Sequence, residues 1–197
     1  MPNGPLLIAD DEPANLAVMR QILGSEYRLV FATNGTEALA VAKKHHPALV
    51  LLDLSMAGLD GYQVCQRLKI DPETAEIPVI FVTTHGEVGD ETAGFAFGAV
   101  DYIVKPVVAP VVRARVRTHL SLVRAARLEK AYHDAIYMLG EAGHYNDSDT
   151  GVHIWRMAAY AEEIALASGW NAEQAALLKL AAPMHDTGKI GIPDAIL

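Results

Sequence analysis

"ALVLLDL", residues 48–54, is apolar at every position except Asp53, which comes next to last. A strand with one wet face alternates polar and apolar residues. A run without alternation is the pattern of a strand in a parallel sheet, covered by helices on both faces. Asp53 then stands at the carboxyl end of a buried strand. Working outward from it, "LLIA" (6–9) is a short apolar run that meets Asp10, Asp11, Glu12 and Pro13. "YRLVFA" (27–32), "IPVIFVT" (77–83) and "VDYIV" (100–104) read as further strands. Between them lie segments of helical period: 14–24 with Leu16, Met19, Ile22 and Leu23, a segment opened by Asn34-Gly35-Thr36 and stopped by Pro47, and a third marked by Tyr62, Cys65 and Leu68. A polar helix is expected over 87–97, and a last one after Lys105-Pro106. Five strand–helix units in about 115 residues predict an α/β doubly wound parallel sheet.

In an open sheet of this kind, ligands bind outside the carboxyl ends of the strands. Asp10 and Asp11 follow the first strand, Asp53 ends the third, Thr83 the fourth and Lys105 the fifth. Three carboxylates brought together repel and raise one another's pKa. A divalent cation relieves that, and all-oxygen ligation favours Mg2+, which binds one or two carboxylates plus a phosphoryl oxygen. A carboxylate can also act as a nucleophile and form an acyl phosphate. Lys105 is placed to meet a phosphoryl group as a point charge, and the Thr83 hydroxyl can donate to the same group. Cys65, on an apolar helix face, reads as a small core residue.

"LLIADDEPAN", "LVLLDLSMAGLDGYQVCQRL", "IPVIFVTT" and "GAVDYIVKP", in that order and spacing, resemble the receiver domain of two-component response regulators. The resemblance covers about residues 4–122 and implies a CheY-like (flavodoxin-like) fold. In it a sensor histidine kinase or phosphotransfer protein donates a phosphoryl group to Asp53. It implies Mg2+ held by Asp11 directly, by Asp10 through water, by Asp53 and by the backbone carbonyl of Ser55. Thr83 and Tyr102 match the family's switch pair, and the Lys105-Pro106 bond is expected to be cis. One departure is visible. The loop after Asp53 reads Ser55-Met56-Ala57-Gly58, where the family usually has proline before the glycine, so the loop is expected to be less rigid.

The segment 111–143 has no internal proline, and no glycine before Gly140. Val112, Val116, Leu120 and Val123 form one stripe; Leu128, Tyr132, Ala135 and Leu139 form another, shifted in phase. The first part is expected to pack on the sheet and the rest to run on as a linker helix whose seam pairs with a second copy as a homodimer. Six Arg or Lys lie between Arg113 and Lys130 against Glu129 alone. Without aromatic stacking residues or a recognition helix, they read as a solvated face rather than a nucleic-acid footprint. His119 and His133 are expected to be exposed or packed, not metal ligands.

The last third holds a polar stretch and two apolar segments. The first counts Val152, Trp155, Ala159 and Ile164 on its apolar side. The second is capped by Asn171 and runs into His185-Asp186. His153 on one and His185-Asp186 on the other can meet across a bundle, a donor set suited to Fe, Mn or Zn, with Lys189 positioned for a phosphate. "HDTGKIGIPDAIL" and "DTGVHIWRM" resemble the HD superfamily of metal-dependent phosphohydrolases, in its HD-GYP branch. That implies metal activation of water for cyclic di-GMP hydrolysis. His153, His185 and Asp186 would be ligands and Lys189 a phosphate contact. Asp149 stands where the family often has Glu as a ligand of an additional metal. The remaining ligands are expected beyond residue 197, so this segment is expected to be incomplete and inactive as a hydrolase. Leu177, Leu178, Leu180 and Trp170 are expected to lie exposed or to pack against a second copy.

These readings divide the chain into a receiver (1–122), a linker helix (123–143) and an all-α HD-type segment (144–197). Net charge of −8 disfavours DNA as a partner. The single cysteine fits a reducing cytoplasm. The start has no basic n-region, and no apolar run approaches the roughly 20 residues of a membrane span. A cytoplasmic response regulator is expected, in which phosphorylation of Asp53 governs a cyclic di-GMP phosphodiesterase. The alternative is a non-enzymatic module in which phosphorylation governs dimerisation or partner docking.

Overall fold

The structure is a computed structural model and describes residues 4–84, 97–143, 152–189 and 191–193. The chain divides into two compact units, Met1–Arg124 and Ala125–Leu197.

In the first unit, five strands form one parallel sheet: β1 (Leu6–Ala9), β2 (Leu29–Ala32), β3 (Leu49–Asp53), β4 (Val79–Thr84) and β5 (Asp101–Lys105), in the order β2-β1-β3-β4-β5. Helices α1 (Pro13–Leu23), α2 (Gly35–His45) and α3 (Gly61–Ile70) cross between strands, and α4 (Ala109–Gly143) follows β5. The unbroken apolar runs have the reason expected of them. Leu6, Ile8, Leu49 and Leu51 point to one face, where Met19, Ile22 and Leu23 of α1 and Val112 and Val116 of α4 meet them. Leu7, Ala9, Val50 and Leu52 point to the other, against Ala38 and Ala42 of α2 and Val64, Cys65 and Leu68 of α3. Period two along a strand delivers both sets, and both are buried.

Several boundaries differ from the sequence reading, for local reasons. β2 begins at Leu29 rather than Tyr27, because the Tyr27 N–H donates to the Leu23 carbonyl at the end of α1. α1 begins at Pro13, in the first helical turn, where a missing N–H costs nothing. α2 is capped by Asn34, whose side chain accepts from the Glu37 N–H. α3 opens with a capping box between Asp60 and Gln63. Gly61 at its start is required, since a Cβ there would collide with the Asp53 carbonyl oxygen. The Lys105-Pro106 bond is cis. The helix expected over 87–97 lies, apart from Phe97, outside the described residues.

In the second unit, α5 (Val152–Ala167) packs against α6 (Ala172–Ala181), which the Asn171 side chain caps by accepting from the Gln174 N–H. The expected face of α5 is corrected. Ile154, Ala158 and Ala165 are buried, whereas Ile164 is 66% exposed and Trp155 and Ala159 are half-buried. An alanine-rich helix has weak amphipathic contrast, so several stripes fit its sequence equally well. Trp155 stacks on Tyr137, with ring centroids 4.6 Å apart. Leu177 and Trp170 are exposed, while Leu178 and Leu180 are half-buried. No helix among the described residues is long and apolar enough to cross a membrane.

Candidate functional site

The sheet register brings the chemistry-bearing residues to one end. Ala9 pairs with Leu52, Asp53 with Val82, and Thr84 with Lys105. Asp10, Asp53, Thr83 and Lys105 therefore sit together at the carboxyl edge of the sheet. Asp10, Asp53 and Thr83 are buried. The Lys105 ammonium donates to Asp53 Oδ1 at 2.9 Å and to Asp10 Oδ2 at 3.0 Å. Asp10 Oδ1 accepts from the Glu12 N–H at 2.9 Å and from the Asn15 amide at 3.0 Å. Asp11 Oδ2 accepts from the Ala57 N–H at 3.1 Å. Proline at position 57 would have no N–H to give, so this departure from the usual loop ties Asp11 to the segment after Asp53. Gly58 follows with φ of 84°, a left-handed turn residue.

Electrostatics set the state of the pocket. Burial pushes the Asp53 carboxyl above its ordinary value; the Lys105 hydrogen bond opposes this, and the nearby Asp10 charge adds to it. Burial disfavours the Lys105 cation, but hydrogen bonds to Asp53 and Asp10 outweigh it and hold the ammonium above its ordinary pKa. Carboxylate oxygens of Asp10, Asp11 and Asp53 lie within 4.8 Å of one another. Three hard oxygen donors, one buried acid with a raised pKa and a single cation between two of them fit a divalent ion such as Mg2+. Ser55 sits in the exposed loop, and its N–H donates to the Asp53 carboxylate.

Tyr102 lies on β5 on the same side of the sheet as Thr83, because Val104 pairs with Thr83 and side chains alternate along the strand. The Thr83 hydroxyl donates to the Thr84 carbonyl at 3.3 Å. The guanidinium of Arg115, on α4, lies 5.6 Å from the Tyr102 ring centroid. Arg115 also bonds Asp101, which His119 meets at 3.1 Å. Burial raises the Asp101 pKa, but hydrogen bonds from Arg115, the Tyr102 N–H and His119 outweigh it and leave the carboxyl below its ordinary value. His119 is thus packed, and His133 is exposed. Asp101, Asn15 and the Ala57 N–H escaped the sequence reading. Each acts through a partner distant in the chain or on another element, and only Asn15, five residues from Asp10, offered a local cue.

The expected HD-type residues stand differently. α6 stops at Ala181, because Pro183 has no N–H to continue it, and a 3-10 turn, Ala182–Met184, takes over. His185 and Asp186 therefore lie past the helix, not on it. His185 Nδ1 is 2.9 Å from the Ala182 carbonyl, and Asp186 Oδ2 lies 3.2 Å from His185 Nε2 and 2.8 Å from Lys189 Nζ. Lys189 is exposed and paired with Asp186. His153 lies on α5, and Asp149 lies outside the described residues. Among the described residues, the second unit brings together no three His, Cys, Asp or Glu side chains able to hold an ion.

The family model for the response regulator receiver domain matches residues 6–117, and that for the HD domain matches 150–197. A probable cyclic di-GMP phosphodiesterase of Vibrio cholerae is 35% identical over 219 residues, covering 98% of this chain and 50% of that protein. The cyclic di-GMP phosphodiesterase response regulator RpfG of Xanthomonas campestris is 28% identical, covering 98% of this chain and 57% of that protein. The chain spans about half the length of these relatives. Among solved structures, the signal receiver domain of a signal transduction histidine kinase from Syntrophus aciditrophicus superposes with a TM-score of 0.56 at 33% identity. It covers 60% of this chain and 90% of that one.

Proposed function

Because the chain belongs to the response regulator receiver domain family, we propose that Asp53 accepts a phosphoryl group from a sensor histidine kinase or phosphotransfer protein. The acyl phosphate then governs an HD-type cyclic di-GMP phosphodiesterase output, of which residues 150–197 form the first part. The observation that carries this reading is the Lys105 ammonium set between the buried carboxylates of Asp53 and Asp10, 2.9 and 3.0 Å away.

In the transfer, a carboxylate oxygen of Asp53 attacks phosphorus. The bond from phosphorus to the donor histidine nitrogen breaks, and that nitrogen keeps the electron pair. Bound by Asp10, Asp11, Asp53 and the Ser55 carbonyl, Mg2+ would offset the charge gathered on the phosphoryl oxygens. Lys105 loses one of its two anionic partners as Asp53 becomes an acyl phosphate, and its ammonium turns to a phosphoryl oxygen. The Thr83 hydroxyl leaves the Thr84 carbonyl to donate to the same group. Tyr102 follows into the space behind it, a two-state packing change.

The division that goes with this function is a receiver over 1–122, a linker helix over 123–143 and an HD segment over 144–197. His185 and Asp186 offer the nitrogen and oxygen donors that Fe, Mn or Zn take, with His153 a further donor of an incomplete set, Asp149 in the place of an additional-metal ligand, and Lys189 meeting phosphate once it leaves Asp186. The protein works in the cytoplasm, where the buried thiol of Cys65 stays reduced. It pairs with a second copy through the far part of α4, where Leu128, Tyr132 and Leu139 are exposed. Light scattering that reads a monomer at high concentration, with and without a phosphoryl mimic, would remove the dimer.

The function is tested on the complete protein by measuring cyclic di-GMP turnover before and after acetyl phosphate with Mg2+. Turnover changes on phosphorylation in the wild type and stays fixed in Asp53→Asn. A wild-type rate that ignores phosphorylation would refute the control of the output.

A further inference from the structure

Asp10 is held from two sides, and the side away from the pocket is held by a residue with no part in the transfer above. Asn15 sits in the first turn of α1 and is half-buried. Its amide donates to Asp10 Oδ1 at 3.0 Å and to Glu12 Oε2 at 3.2 Å. The Glu12 N–H gives Asp10 Oδ1 its second donor, at 2.9 Å. Together they fix the plane of the Asp10 carboxylate and leave Oδ2 facing Lys105. An asparagine in a first helical turn commonly turns its side chain back to the helix backbone. This one instead spends its amide on two carboxylates, one of them Asp10, a member of the cluster where three acids converge.

We propose that Asn15 is a positioning residue for the divalent-cation site: its amide locks Asp10 in the orientation from which Asp10 holds Mg2+ or a water on it. Asn15 touches neither phosphorus nor the attacking oxygen, and its effect passes through Asp10. Mg2+ demands near-octahedral geometry and tolerates a swinging ligand poorly. Partners that orient a ligand from behind are typically worth 10- to 100-fold in metal affinity. The inference rests on the reading of Asp10, Asp11 and Asp53 as a Mg2+ site.

The test is calorimetric titration of the 197-residue chain with Mg2+ for wild type, Asn15→Ala and Asn15→Leu, the last keeping the shape of the side chain without its donors. Both variants are expected to bind Mg2+ about 10-fold more weakly. The Mg2+ needed for half-maximal phosphorylation by acetyl phosphate should rise in parallel, with the rate at saturating Mg2+ unchanged. Metal-free thermal midpoints should stay at the wild-type value. Wild-type affinity in both variants overturns the proposal, as does a fall in midpoint or in saturated rate without a shift in affinity. If wild type itself binds no Mg2+ and takes no phosphoryl group, the reading of the receiver site falls and this inference falls with it.

Discussion

The two units contain the same kinds of chemical group, carboxylates with a lysine among them, yet arrange them in opposite ways. In Met1–Arg124 the acids come from the turn after β1 and from the end of β3, and the lysine from the end of β5, residues separated by up to 95 positions in the chain. The sheet holds them in place before any ligand arrives, and burial has already disturbed the Asp53 and Lys105 ionisations. In Ala125–Leu197, His185, Asp186 and Lys189 come from one short turn. His185 and Lys189 are exposed, and the Asp186 carboxylate meets both. Neighbours in sequence can always find one another, so their pairing requires no fold. Groups that converge from distant strand ends do, and that convergence makes a site.

The comparison is most open to attack at Lys105. Lys105→Ala leaves two buried carboxylates facing each other. Phosphorylation by acetyl phosphate should slow by about 100-fold, and the metal-free chain should lose about 3 kcal/mol in denaturant unfolding. A rate within a few-fold of wild type would mean that the cation between the acids is incidental. Core truncation separates the units next. Leu52→Ala, in a strand buried on both faces, should cost about 3 kcal/mol. Leu177→Ala, 65% exposed, should stay within about 0.5 kcal/mol.

Smaller effects follow from pH and carry opposite signs. The folded Asp101 pKa is lowered, so its stabilisation is present above the unfolded value and is lost as pH falls through the folded one. Asp101→Asn should destabilise the neutral protein by about 1–3 kcal/mol and flatten its acid sensitivity. The folded Asp53 pKa is raised. The folded chain therefore keeps that proton to higher pH than the unfolded chain, and stability falls as pH rises through the folded value. Metal-free Asp53→Asn should accordingly melt above wild type at pH 7. The smallest effect belongs to the second unit: Lys189→Ala breaks an exposed ion pair and should cost under about 1 kcal/mol, with no change in phosphorylation of Asp53.

How much was legible beforehand follows the same divide. The inner strands β1, β3 and β4 announced themselves, because a strand covered on both faces admits almost no polar residue until its end, and such an end is where Asp53 falls. Asp101 with Arg115 and His119 was hidden, since sequence places them on different elements and only the packing of α4 brings them together. The Ala57 N–H was hidden for another reason: the sequence shows a missing proline, not the donor that its absence frees. In the second unit the Asn171 cap was plain, yet the buried face of α5 was misread, since alanine at Ala158, Ala159, Ala161 and Ala165 marks no side as inner.

The claim that the chemistry resides at Asp53 is tested most directly by intact mass of this chain after incubation with acetyl phosphate and Mg2+. One phosphoryl adduct is predicted on the wild type and on the double variant His185→Ala with Asp186→Ala, and none on Asp53→Asn. An adduct that survives Asp53→Asn, or a wild type that takes none, would contradict it.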